Sequence, residues 1–502
     1  MTICAVSCLL LAGGSAQSAK EKSALAKRFA PVDLKADLRI MRQALEAGSP
    51  GLYRHTSKQA FDKAWMRAEG SLRQPLSASE FFRVAAPLIA GIKNGHTQLR
   101  LPAAEAQDLE ETVPLLPLGV RVLGQRIFVV RDFSGEAASL VGSEIRAING
   151  VTSPVLIERL LTAVSADGDV ETSRRRIISG WGFIQRLHTI LGFRSPFILS
   201  LRDSHSPRDF TKAVNGVPAA LISKEWKELY PRDIESGNRR FFDFRSSDDG
   251  RIGIMTIPSW DDFADSDQKT SIQEFFHTAF SAIQERATSA LIIDVRDNGG
   301  GEDSYGTLLA SYLLDAPFEY FTDIWMKGLS FDFLRYSEPS YRVGTTNMLP
   351  KEITDLSERG TDGRYHLTKR PNWGAQQPSA PGFKGPVYVL INGNSFSAST
   401  EFAAFLWSRR RAEFVGEEAS RYWRSNTSGP SPTLTLPATK LRLTVPLVEF
   451  DLAVTDGIPG AHGVQPDHEV TYTVEDLVAG TDKDMEVALR LARTEQSSTK
   501  RH

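Results

Sequence analysis

The sequence predicts an α/β protein: a helical N-terminal region, a strand-rich middle, and a large C-terminal region built on a mostly parallel, two-sided sheet. Two observations predict the sheet. The runs "RIGIMTI", "SALIIDV" and "PVYVLI" are near-continuously apolar rather than alternating, as expected of strands covered on both faces. Each is followed by a loop and then an amphipathic stretch, "SIQEFFHTAFSAIQERA", "GTLLASYLLD" and "SASTEFAAFLWS", which is the strand–loop–helix repeat of α/β folds.

The elements follow in chain order. Residues 1–16, "MTICAVSCLLLAGGSA", are apolar but too short to span a bilayer. Gly14 and Ala16 place small residues before a cleavage point, so the segment reads as a secretory signal, or as a lipoprotein signal with Cys8 as the lipidated residue. Either implies a periplasmic or secreted protein, with membrane contact only through that anchor. Residues 30–105 form the helical region: "DLKADLRIMRQAL" places Leu34, Leu38, Ile40, Met41 and Leu45 close to helical spacing, and Ser79 is a candidate N-cap for "SEFFRVAAPLIAGI". Residues 112–205 open with "LGVRVLGQRIFVVRDF", a hairpin turning at Gly124-Gln125, followed by a strand, an Asn149-Gly150 turn and a helix from Ser153. That order is similar to a PDZ-like module, in which the basic, aromatic stretch 167–195 stands as an insertion. A connector covers 206–250 and the sheet-bearing core 251–476. Within the core, residues 320–385 are polar and proline-rich and read as a long excursion or lid. Residues 477–502 form a terminal helix and tail.

Totals narrow the function. Among 502 residues, 41% are hydrophobic and 24% charged, with a net charge of −2. Such a balance gives no general attraction to nucleic acid or anionic membrane. Both cysteines, Cys4 and Cys8, lie in the first segment, which excludes a disulfide framework, thiolate metal sites and a cysteine nucleophile from the body. His462 and His468 lack a clustered third ligand, so no metal and no cofactor is expected.

Three places carry chemistry. In "NSFSASTEF" three serines crowd between a buried strand and a helix start. A hydroxyl there gains from free helix-start N–H groups and the positive end of the dipole. Ser397 sits at the junction with the Ala398 N–H beside it, although Ser395, Ser397 and Ser399 also suit as capping hydroxyls. In "DVRDNGGGEDS" a glycine loop leaves the end of a buried strand, where ligands bind in open α/β sheets, and its N–H groups suit an oxyanion. It lacks the Lys-Ser/Thr or G-x-G-x-x-G spacing of a nucleotide loop. In "GIKNGHTQL", His96 is presented on an Asn-Gly turn, as suits a general base and equally a surface histidine.

Together these segments resemble the tail-specific (carboxyl-terminal processing) serine proteases, and in particular their tricorn-core-like branch. The resemblance implies an α/β core of the ClpP/crotonase type and hydrolysis of peptides or unfolded proteins. It implies Ser397 as nucleophile, His96 as base in place of the lysine of the other branch, and an oxyanion hole from Ala398 with Gly300 or Gly301. The residue 25 positions after the serine, where that other branch carries lysine, is Tyr422 here. The branch's late glutamate falls on Gly460, which leaves Asp456 as a candidate relay. That departure favours an alternative: a non-catalytic peptide- or lipophile-binding protein that retains the fold.

Overall fold

The computed structural model describes residues 27–136, 139–203, 208–229, 241–247, 249–262, 270–455 and 457–499. The apolar start and Asp456 lie outside them.

The first helix, Pro31–Gly48, buries Leu34, Leu38, Met41 and Leu45 as the spacing predicts. The helix Ala78–Ala90 is capped two residues earlier than expected. Ser77, not Ser79, accepts the Glu80 N–H, and Glu80 reaches back to the Ser77 N–H. The reason is reciprocal: Ser77 has a glutamate three residues on, whereas Ser79 has Phe82 there and instead bonds Glu105. Asp37, fully buried, accepts the Ala438 and Thr439 N–H groups and the Thr439 hydroxyl, pinning this region to the far end of the chain.

The middle region is an antiparallel sheet in the order Asp209–Val214, Phe197–Arg202, Glu144–Ile148, Arg126–Asp132, Leu118–Leu123. Asn149 and Gly150 both take positive φ, the geometry of a two-residue hairpin turn. This region closes its own apolar core, in which Val120, Ile127, Ile145, Leu156, Phe183 and Leu199 meet. The basic stretch after residue 167 forms two helices, Glu171–Ile177 and Gly180–Thr189. Glu171–Ile177 docks on the sheet-bearing region: Thr172 donates to the Glu418 carbonyl at 2.8 Å, Ser173 meets Ser420 at 2.6 Å, and Arg176 pairs with Glu417 at 2.7 Å.

The central sheet runs Asp243–Ser246, Ile252–Thr256, Ala290–Asp294, Val387–Ile391, Glu413–Gly416, His468–Glu469, antiparallel at the first pairing and parallel thereafter. Alternate residues serve opposite faces. Leu291, Ile293, Val389 and Ile391 pack with Phe276, Phe280 and Phe402 of the helices on one side. Ile292, Tyr388, Leu390 and Val415 pack with Met485, Ala488 and Ala492 of Lys483–Thr499 on the other. The runs are apolar throughout because both faces are covered.

Residues 320–385 depart from the expected lid. Phe321–Met326 is an inner strand, between Tyr365–His366 and Val448–Leu452, in a five-stranded antiparallel sheet that also holds Ser425–Ser428. Phe331, Phe333 and Leu334 are buried in the core shared with the N-terminal helices. The few apolar residues that fix this layer are separated by long polar runs, so composition alone reads it as surface.

Asp37→Ala should cost about 3 kcal/mol, because it leaves two buried N–H groups without acceptors. A urea-unfolding midpoint unchanged from the parent would remove Asp37 from that role.

Candidate active site

The loop after Val387–Ile391 is held by its outer serines. Ser395 accepts the Asn392 N–H at 3.1 Å and donates to the Val295 carbonyl at 2.8 Å; Ser399 accepts from the Trp260 indole at 2.8 Å. Ser397 is the exception. It sits at φ 56°, ψ −124°, an unfavourable conformation for a residue with a side chain, directly before the helix Ala398–Ser408. Its hydroxyl is aimed away from the capping position and lies 3.1 Å from His96 Nε2. The two residues are 301 positions apart in the chain.

The glycine loop stands against this serine. A Cβ on Gly300, at φ 107°, would fall 2.6 Å from the Ser397 Cβ. The Phe396 N–H donates to the Asn298 carbonyl at 3.0 Å, while Asn392 and Asn394 side chains both donate to Asp297. Glycine loop and serine loop are thus one stitched unit. The Gly300 N–H already donates to Asn298 Oδ1 at 2.9 Å. Trp260 bridges to Gly301 by bonding its two neighbours, Gly300 and Glu302, which turns the Gly301 N–H away from Trp260.

His96 rides on a tight turn. Asn94 Oδ1 accepts the His96 N–H at 2.8 Å and the Thr97 N–H at 3.0 Å, the self-bonded turn that asparagine and aspartate both form. The imidazole stacks on Phe396, with centroids 4.6 Å apart. The middle region grips the turn from behind. Asp167 accepts the Gly95 N–H at 2.5 Å, Gly168 donates to the Lys93 carbonyl at 3.0 Å, and Asp169 pairs with Lys93.

Beneath the histidine lies a buried charge network that sequence reasoning missed. Arg421 is fully buried; its guanidinium meets Glu401 at 3.1 Å and faces Asp167 at 3.8 Å. Asn426 donates to the same Glu401 oxygen at 2.8 Å. Burial pushes the Asp167 carboxyl up, with Arg421 opposing, and pulls the Arg421 guanidinium down. Burial first, and the Arg421 charge second, bring His96 from 6.5 down to about 3. The imidazole is accordingly neutral at neutral pH, with Nε2 directed at the hydroxyl. Its Nδ1 is buried and has no hydrogen-bond partner among the described residues. Gly460, at the late-glutamate position, turns at φ 76° beside His462, which in turn meets Glu418 at 3.2 Å. A signal for Glu401 was visible: a charged residue four positions after Ser397 on an otherwise apolar helix. Asp167, in "SADGDV", had none.

A helix-start serine, a neutral imidazole and a glycine loop, set on a two-sided α/β sheet, define the class of serine-type peptidases. The family model described as Peptidase family S41 matches residues 251–470, and the chain carries an S41 domain. Among solved structures, mature CPAF complexed with lactacystin shares 17% identity, covering 92% of this chain and 98% of that chain, with a TM-score of 0.60. Mature CPAF alone shares 17% identity over 89% of this chain and 94% of that chain, with a TM-score of 0.58. The photosystem II D1 C-terminal processing protease shares 13% identity over 89% and 96%, with a TM-score of 0.39. No curated protein sequence matches the chain.

Gly300→Ala should lower the reactivity of Ser397 by about 10²-fold, the scale of a reacting group misplaced by an ångström, because the added methyl displaces the serine. Turnover measured beside the melting temperature checks it; full turnover in a folded variant would contradict the close approach.

Proposed function

We propose that the protein is a serine endopeptidase acting on peptides or unfolded proteins, with Ser397 as nucleophile and His96 as general base. The single observation that carries this reading is the 3.1 Å contact between His96 Nε2 and Ser397 Oγ. Neutral His96 takes the hydroxyl proton as Ser397 attacks the scissile carbonyl, then returns it to the leaving amine. The Ala398 N–H, at the start of its helix, is one oxyanion donor. Gly301 supplies the second, since the Gly300 N–H is engaged with Asn298; Gly300 contributes the close approach. Asp167 and Arg421 act as positioning residues, one holding the turn of His96 and the other keeping its ring uncharged.

The middle sheet is read as a PDZ-like module that holds an extended peptide by strand addition, and the core as one of the ClpP/crotonase type. The apolar N-terminal segment supports a periplasmic or secreted location.

A fluorophosphonate probe should label the parent at Ser397 and leave Ser397→Ala unlabelled, with peptide hydrolysis lost by at least about 10³-fold in Ser397→Ala and His96→Gln. Labelling elsewhere, or turnover in Ser397→Ala, would end the assignment.

The pH dependence has a definite sign. Below 6.5 the unfolded chain takes up a proton on His96 that the folded chain refuses until about 3. This residue's contribution to stability is therefore complete above 6.5 and falls as pH drops toward 3. The acid limb of kcat/KM should lie well below 6.5, and His96→Gln should lose less melting temperature than the parent between pH 7 and pH 5. An acid limb at 6.5 would place the imidazole in water.

A further inference from the structure

Five buried polar atoms without a hydrogen-bond partner among the described residues gather around Arg421: His96 Nδ1, Arg421 Nε and Nη2, Glu401 Oε2 and Asn426 Oδ1. Neighbouring contacts hold them together. Arg421 Nη1 donates to the other Glu401 oxygen at 3.1 Å, and Asn426 donates to that same oxygen at 2.8 Å. The residue after Asn426, Thr427, accepts the Asn94 side chain on its carbonyl at 3.4 Å, and Asn94 carries the turn of His96. His96 is close enough to Arg421 to feel its charge. Glu401 lies one helical turn from the nucleophile, its N–H donating to the Ser397 carbonyl at 3.1 Å.

Donors and acceptors decide what joins these atoms. To accept the Ser397 proton, His96 must keep Nε2 bare and carry its own hydrogen on Nδ1. That buried N–H needs an acceptor. Arg421, the cation beside it, offers only donors. The unpartnered acceptors of the cluster are Glu401 Oε2 and Asn426 Oδ1, and only the carboxylate is charged. An internal water accepts two hydrogen bonds and donates two. One water can therefore take the Nδ1–H and an Arg421 N–H, and give its own hydrogens to Glu401 and Asn426.

Asp167 is the rival carboxylate. One of its oxygens already accepts the Gly95 N–H, and the other faces Arg421 Nε at 3.8 Å. We infer that Glu401 is a positioning residue for catalysis: through a buried water shared with Arg421, it holds His96 in the tautomer with hydrogen on Nδ1. The carboxylate that orients the base then stands on the nucleophile's own helix, and the late position occupied by Gly460 is not needed for it. The inference rests on His96 being the base of the proposed peptidase.

The test is nitrogen-15 NMR of the full chain with labelled histidine, the His96 signals being assigned by their loss in His96→Gln. The parent should show Nδ1 protonated and Nε2 bare. Glu401→Gln turns an amide N–H toward the water, which then donates to Nδ1. The hydrogen should move to Nε2, and kcat/KM should fall by at least about 10²-fold, through kcat rather than KM. Glu401→Asp keeps the charge opposite Arg421, and with it the fold. It should hold the parent tautomer and lose only about tenfold in kcat. Asp37→Ala, destabilised elsewhere, should leave the tautomer unchanged. The inference is overturned by an Nε2-protonated parent, by an Nδ1 hydrogen that survives in folded Glu401→Gln, or by a tautomer that answers to Asp167→Asn instead. If Glu401→Gln does not fold, Glu401→Asp decides: parent kcat in that variant overturns the role. The outcome is separable from the catalytic reading. Fluorophosphonate labelling of a parent whose tautomer ignores Glu401 removes only this role; a tautomer set by Glu401 with no labelling removes only the catalysis.

Discussion

The structure depends on one contact between side chains that begin far apart: an imidazole brought to a hydroxyl across an interface between regions. Such a contact is only as accurate as the surfaces that carry its two halves, since hydrogen-bond energy falls steeply with distance and angle. Both halves are accordingly over-determined. The serine loop is tied to the glycine loop through Asn298, Asp297 and the outer serines. The histidine turn is tied to itself by Asn94, to the aromatic face of Phe396, and to the middle region by Asp167. Ser397 holds an unfavourable backbone conformation because every neighbour fixes it there.

The buried charges beneath the site follow from the same demand. Charge is expensive to bury unless paired, and Arg421 is paired with Glu401 and lies near Asp167. The three come from the segment after the strand Glu413–Gly416, the helix Ala398–Ser408 and the middle region. Shifting any one of those elements would separate opposite charges in a low-dielectric interior. The network therefore works as a lock on relative placement. Burial lowers the pKa of the nearby imidazole and the positive member of the network adds to that effect, so a structural device contributes to a chemical property.

Much of this was legible in the sequence where a signal is local. Apolar runs marked the central strands, glycine and serine loops at strand ends marked the candidate site, and an Asn-Gly turn marked the loop that carries His96, although not its burial. What was not legible is non-local. Asp167 has an ordinary loop sequence, and its importance appears only when Gly95 is placed beside it. The 320–385 layer is fixed by a handful of apolar residues among polar ones. The cap at Ser77 rather than Ser79 turned on a glutamate three residues on, a local signal that needed weighing against its neighbour. The engagement of the Gly300 N–H by Asn298 was likewise hidden, because three adjacent glycines look alike in the sequence.

The strand that follows His96 is paired with Arg442–Thr444, and the first helix is pinned at Ala438 and Thr439. During synthesis the N-terminal region emerges first and waits for those late residues. Until they arrive, the His96 ring has no fixed place beside Ser397. Chain order alone therefore delays assembly of the candidate site until nearly all of the polypeptide is available.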